Sequence, residues 1–277
     1  GKLEDGYHEL DISFLSINLA DRMIFEPSDQ IILVTEAEIP LEENLCYRAA
    51  KKLKEACSVK PGIKITLKKR IPIGGGLGGG SSNAATTLIC LNRIWNCNLS
   101  RRELIEIGKE FGADVPFFFY GGYCTGRGKG HELRKKENLF LDRFVPLIAP
   151  PFSQLTSQVY SKYDELSEEP RKKISENTRN LNSFRMGNFT VKNDLQEAAV
   201  VLNPELNKYL ELFQKASTIE SFGVAGSGSS VFGISRRNVT LEEINREIEQ
   251  DLSSISGEAK FIITRPTNLG QSIREEG

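Results

Sequence analysis

Residues 68–83 read Lys-Lys-Arg-Ile-Pro-Ile-Gly-Gly-Gly-Leu-Gly-Gly-Gly-Ser-Ser-Asn, with glycine at 74, 75, 76, 78, 79 and 80. Glycine loses the most backbone entropy on folding, so this density is sensible only where the chain needs positive φ angles or passes close to something bulky. Upstream, Ile63, Ile65 and Leu67 alternate as in a strand. Downstream, apolar residues at 84, 88, 91 and 95 keep helical spacing and predict a helix over 82–96. A glycine loop that opens a helix offers free amide groups at the positive end of the helix dipole, which is an anion site. The hydroxyls of Ser81 and Ser82 add donors or a metal contact. The stretch therefore reads as a polyphosphate cradle.

Three other readings fit less well. A flexible linker would not join a strand directly to an amphipathic helix. Gly74, Gly76 and Gly79 formally match a dinucleotide fingerprint, but that motif needs a second strand ending in an acidic residue about 20 positions on. Here Ser100-Arg-Arg-Glu103 forms a capping box, followed by Leu104, Ile107 and Phe111 on one helical face. A Walker loop needs a lysine just before its serine, whereas Lys69 and Arg70 lie on the other side of the glycines.

The 277 residues are enough for a large core and for two domains. Lys and Arg total 36 against 37 Asp and Glu, with no basic excess to suggest nucleic acid as a partner. No run of 18 apolar residues suggests a membrane span. Five cysteines, at 46, 57, 90, 97 and 124, are odd in number and lack C-x-x-C spacing, which reads as reduced thiols in a cytoplasmic protein. Two histidines, His8 and His131, make no zinc cluster, and no G-x-S-x-G elbow signals a serine hydrolase. No metal-ligand set is expected.

Along the chain, alternation over 10–35 suggests antiparallel strands, with turn residues at Asp21 and Pro27 to Asp29. Helices are expected at 43–57, 82–96 and 101–111, a buried strand at Phe117 to Phe119, and another strand near 144–149. Pro150-Pro151 reads as a domain seam, giving domains 1–149 and 150–277. Beyond it, Asn203-Pro204 reads as a helix start, and Thr240 with Glu243 as a second capping box. Two helices flanked by Ser221 to Ile234 and Ala259 to Thr264 suit a small α+β layer.

Pro72 to Asn83 resembles the phosphate loop of the GHMP kinase superfamily, whose members include galactokinase, homoserine kinase and mevalonate kinase. The doubled glycine triplet is similar to the branch whose acceptor is a cytidine-diphosphate-linked sugar alcohol of non-mevalonate isoprenoid synthesis. Four more segments match that branch in order: Asp5-Gly6-Tyr7-His8, Glu43-Asn44-Leu45, Gly112-Ala113-Asp114-Val115-Pro116 and Gly223-Val-Ala-Gly-Ser-Gly228. The resemblance implies a two-domain α+β fold, with a ribosomal-S5-like N-terminal domain, a ferredoxin-like C-terminal domain and the active site between them. It implies ATP as donor, with Mg2+ carried on it, and transfer of the γ-phosphoryl group to the acceptor's 2-hydroxyl.

Phosphoryl transfer needs charge stabilisation along the phosphates and a group that takes the hydroxyl proton. Asp114 matches the family's catalytic base. By itself an aspartate after a helix reads as a turn residue, and apolar neighbours would raise its pKa while cations or backbone donors would lower it. For the nucleotide, the resemblance implies Pro72, Gly74, Gly75, Gly76, Leu77, Gly78, Gly79, Gly80, Ser81, Ser82 and Asn83 around the phosphates, with Asn44 and Lys69 near the adenine. Asn44 also suits the cap of a helix starting at Leu45. For the acceptor it implies Tyr7, His8 and Tyr160 around the cytosine, where two rings can sandwich a base, and Gly226, Ser227 and Gly228 on the acceptor side. A homoserine or mevalonate kinase would not need the pyrimidine set. The S5-like half also admits a non-catalytic nucleotide- or RNA-binding module, against which the near-neutral charge counts. The family's lysine-bearing strand ahead of the Asp-Gly-Tyr-His segment has no counterpart in these residues, and the expectation is a nearly inactive chain whose turnover and thermal stability rise when that strand is restored.

Overall fold

The computed structural model describes residues 8–168, 183–186, 189–255 and 257–274. They form two compact units. The first comprises Gly1–Ile71, Gly78–Asn138 and Thr267–Gly277; the second comprises Pro72–Leu77 and Leu139–Pro266. The glycine loop thus contributes to both.

In the first unit, strand β4 (Gly62–Lys68) buries Ile63, Ile65 and Leu67 and takes the centre of a three-stranded sheet. Strand β2 (Arg22–Ser28) pairs with it antiparallel, and β3 (Ile31–Thr35) pairs with its other edge in parallel. The expected antiparallel pairing within 10–35 is therefore corrected. Alternation identifies strands but not partners, and the most deeply buried strand separates β2 from β3. Strand β1 (Ile12–Leu15) belongs to a second antiparallel sheet with β5 (Tyr123–Arg127) and β6 (Glu132–Lys136).

Among the described residues this unit also holds the α-helices α1 (Leu45–Ala56), α2 (Gly79–Ile94), α3 (Arg101–Lys109) and α4 (Val115–Tyr120). Leu53, Leu88, Leu91 and Leu104 from three of them join Ile63 and Ile65 in one core. The start of α3 is the expected capping box: Glu103 N donates to Ser100 Oγ at 3.3 Å, and Ser100 N donates to Glu103 Oε2 at 2.8 Å. The strand expected at Phe117 to Phe119 is instead helix α4. A short apolar run does not distinguish a buried strand from a buried helix, and Pro116 in the first turn favours the helix.

The cysteine reading is also corrected. Cys57 and Cys97 form a disulfide, with Cα atoms 5.6 Å apart, while Cys46, Cys90 and Cys124 are free and buried. Cys57 is the C-cap of α1, and Cys97 lies just past the end of α2. Packing of these two helices brings together thiols that no local spacing connects.

The second unit is built on a four-stranded sheet ordered β10-β11-β7-β12, with β7 spanning Val145–Ala149, β10 Ile219–Val224, β11 Val231–Ser235 and β12 Lys260–Thr264. All its pairings are antiparallel. A small antiparallel pair, β8 (Ser183–Met186) and β9 (Phe189–Lys192), accompanies it. Helices α5 (Thr156–Glu168), α6 (Gln196–Leu202), α7 (Leu206–Lys215) and α8 (Leu241–Ile255) belong to this unit. Tyr209, Leu210, Phe213, Ile244 and Ile248 supply much of its buried core. β7 is buried along its whole length between β11 and β12, and the second compact unit takes up the chain at Leu139, ahead of Pro150-Pro151, while residues 267–274 group with the first.

At α8 the Thr240 and Glu243 capping box forms as expected. Asn203 does not cap the next helix. It is the C-cap of α6, and α7 begins after a turn, with Glu205 at its N-cap and no side-chain cap bond. Among the described residues no helix is long and apolar enough to cross a membrane.

Candidate active site

Helix α2 opens without a side-chain cap. Its N-cap is Gly78, held at φ +67°, so nothing on that residue occupies the amide donors of the first turn. A Cβ at Gly78 would lie 2.8 Å from Cζ of Phe118 in α4, so the loop presses directly on that helix. The space at Gly79, which has no positive φ, is filled by Ile71 and the Lys69 ammonium. Ser81 and Ser82 are half-buried, and Ser81 Oγ lies 4.0 Å from where a Cβ on Gly112 would be. The first turn of α2 therefore adjoins the Gly112-Ala113-Asp114 segment.

Asp114 occupies the N-cap position of α4, yet its carboxylate makes no cap hydrogen bond. The residue keeps solvent-facing surface, although protein packed around its carboxylate pushes the pKa above the ordinary aspartate value. No cation or donor among the described residues offsets that desolvation. Remaining solvent contact limits the size of the displacement while leaving its upward direction. Such a carboxylate is reachable and more basic than usual, as a proton acceptor should be.

Asp21, which the sequence shows only as a turn residue, proves to be the most connected carboxylate near the loop. Its side chain is 1% exposed and pairs with Lys69 Nζ. Oδ1 accepts from Arg70 N at 2.7 Å and Ile71 N at 2.9 Å, and Oδ2 accepts from Asn83 Nδ2 at 2.8 Å. Burial pushes its pKa up, but these four donors together hold the carboxyl below the ordinary aspartate range. Lys69, expected near the adenine, is thereby neutralised by a carboxylate 48 residues away in sequence. Asn44 is buried, and its Oδ1 accepts from Cys46 N at 3.0 Å, so its capping role is realised.

Pro72 to Leu77 belongs to the second unit. Gly74 O accepts from Ser229 N at 3.4 Å, and Gly75 O accepts from Ser230 N at 3.1 Å. Gly76 is held at φ +72°, and a Cβ there would overlap the carbonyl oxygen of Ala225. This part of the loop is therefore seated on the turn containing Gly226, Ser227 and Gly228. Ser227 Oγ lies 3.0 Å from Thr156 Oγ1 at the start of α5. Tyr160 sits one helical turn after Thr156, on the same face of α5. Thr156 thus ties the turn to the first turn of α5, the helix that carries Tyr160. His8 is half-buried in a β-bridge, and Tyr7 lies outside the described residues.

A family model of the GHMP kinases N terminal domain matches residues 44–122, and one of the GHMP kinases C terminal domain matches 168–253. A "4-diphosphocytidyl-2-C-methyl-D-erythritol kinase" from Thermodesulfovibrio yellowstonii is 39% identical over 240 residues, covering 84% of this chain and 83% of that protein. The chain belongs to this family of GHMP kinases. A crystal structure of a 4-(cytidine 5'-diphospho)-2C-methyl-D-erythritol kinase superposes with a TM-score of 0.71 at 31% identity, covering 95% of this chain and 93% of that one. A homoserine kinase from Cytophaga hutchinsonii gives a TM-score of 0.69 at 17% identity, covering 92% and 89%. That second likeness is one of fold alone.

Proposed function

We propose that this GHMP kinase transfers the γ-phosphoryl group of ATP to the 2-hydroxyl of 4-diphosphocytidyl-2-C-methyl-D-erythritol. The observation that carries the reading is the proximity of two parts: an α2 N-terminus with its amides uncapped, and the Gly112-Ala113-Asp114 segment beside it. Asp114 takes the proton of the acceptor hydroxyl, whose oxygen then bonds to the γ-phosphorus as the bond to the ADP oxygen breaks. First-turn amides of α2 and the hydroxyls of Ser81 and Ser82 stabilise the charge spread over the phosphate oxygens. Ser81 and Ser82 would be the residues to hold Mg2+ carried on the triphosphate, which would supply further neutralisation there.

Tyr160, the Gly226-Ser227-Gly228 turn, His8 and Tyr7 are proposed to recognise the cytidine half of the acceptor. ATP supply places the reaction in the cytoplasm. The test is ADP release coupled to a reporter, run with cytidylylated methylerythritol, mevalonate, homoserine and no acceptor. Turnover confined to the cytidylylated acceptor is expected. Preference for another alcohol, or release equal in all four, would refute the assignment.

A further inference from the structure

The glycine loop leaves β4 at Lys69–Ile71 and enters α2 at Gly79, and one buried carboxylate bonds to both of its flanks. Asp21 Oδ1 takes the backbone N–H groups of Arg70 and Ile71 on the β4 side. Oδ2 takes the Asn83 amide from the first turns of α2 and pairs with Lys69 Nζ. We infer that Asp21 is a positioning residue for the nucleotide: it clamps the two flanks of the phosphate loop so that the α2 amides are held in place before ATP arrives. This rests on the proposed ATP site.

Several observations point to clamping rather than to a surface ion pair. The carboxylate is 1% exposed, so its charge is out of water and every bond it makes is strengthened by the low dielectric. Its partners come from segments 48 to 62 residues away, and it bonds both to Asn83 and to the end of β4. The Lys69 ammonium lies 3.1 Å from where a Cβ on Gly79 would be, at the positive end of the α2 dipole. A bare cation there would oppose the helix, and Asp21 supplies the anion that makes the arrangement stable. A loop carrying so many glycines has much entropy to lose on binding, and fixing its ends beforehand removes part of that loss from the ATP-binding step.

The test is a double-mutant cycle on ATP kinetics in the full chain. Asp21→Asn keeps a carbonyl for Arg70 and Ile71 but places an NH2 group against Lys69 and Asn83. Asn83→Ala removes the α2 anchor and leaves the ion pair intact, and because Asn83 is itself expected near the phosphates, its coupling with Asp21→Asn carries the test. Each variant is expected to raise the KM for ATP about tenfold, as loss of one charge-assisted hydrogen bond would. The KM for the acceptor should stay unchanged, and the double variant should be no worse than the more affected single one. A residue that merely supported the fold would lower the melting temperature without this split between the two substrates. An unchanged ATP KM in either variant would overturn the inference, as would effects that multiply in the double variant. If Asp21→Asn does not fold, Asp21→Ser takes its place in the cycle under the same criterion. Absence of ATP-dependent turnover in the wild type would overturn the kinase reading and this inference with it.

Discussion

Gly76→Ala and Gly80→Ala make the same chemical change four residues apart, and the structure gives them opposite signs. At Gly76 the backbone has φ +72°, a conformation that costs an L-residue about 1–2 kcal/mol. The new methyl would also overlap the Ala225 carbonyl oxygen and sit 2.9 Å from that of Gly228. Neither neighbour is a flexible side-chain end, so the loop must move. Moving it stretches the bonds from Ser229 N and Ser230 N to Gly74 and Gly75, each worth about 0.5–1.5 kcal/mol. Together these effects come to roughly 2–5 kcal/mol, felt as lost stability or as a loop displaced from its ATP-binding shape. At Gly80 the backbone is helical and a Cβ would meet only Leu45 Cδ1 at 3.4 Å, an ordinary contact. There alanine should stabilise by up to about 0.5–1 kcal/mol. Thermal melts and calorimetric ATP titration of both variants check the contrast. At about 2–4 °C per kcal/mol, Gly76→Ala should melt several degrees lower or bind ATP at least tenfold more weakly, while Gly80→Ala melts no lower than wild type. Equal behaviour of the two would show that the glycine cluster is not read out through backbone geometry and close approach.

Asp114→Asn should lower kcat by about 10²–10⁴-fold while ATP still binds, and calorimetry showing lost ATP affinity with normal turnover would remove Asp114 from the chemistry. Because the folded carboxyl has a raised pKa, its ionised form opposes folding once pH exceeds the unfolded value of about 3.9. The same variant should therefore melt above wild type at pH 8, with the gain vanishing in acid. Asp21 has the opposite sign: its pKa is depressed, so its stabilisation is present above about pH 3.9 and is lost as pH falls through the lower folded value. Acid melts of wild type should steepen there, and those of Asp21→Asn should not. The Cys57–Cys97 bond spans 40 residues and should stabilise the chain by about 2–4 kcal/mol. Alkylation under denaturing, non-reducing conditions should label three thiols, and labelling of all five would refute the pairing. Tyr160→Ala should raise the acceptor KM by an amount matching about 1–3 kcal/mol of stacking, with ATP kinetics unmoved.

Much of the candidate site was legible in the linear chain because its signals are local. The strand at Ile63 to Leu67, the glycine run and the helix carrying Leu88 and Leu91 follow from periodicity and backbone freedom within about 30 residues. The two capping boxes are four-residue patterns, and both formed. The Asp114 motif was visible as a resemblance, but its uncapped carboxylate and raised pKa depend on what is packed around it. Phe117 to Phe119 shows the limit of periodicity: three adjacent apolar residues carry no phase, so burial in the first unit had to select helix over strand.

What the sequence by itself determined was the strand before the glycine run, the helix after it and the two capping boxes, since propensity, capping and glycine content act over a few residues. Only the tertiary structure decided which elements meet. Strand β4 separates β2 from β3, β7 joins the second unit, and Cys57 finds Cys97 because packed helices and a central buried strand settle partners that share no spacing. Asp21 is the sharpest case. Nothing near it in sequence distinguishes it from any turn aspartate, whereas burial makes its charge require donors, which the fold supplies from Lys69, Arg70, Ile71 and Asn83.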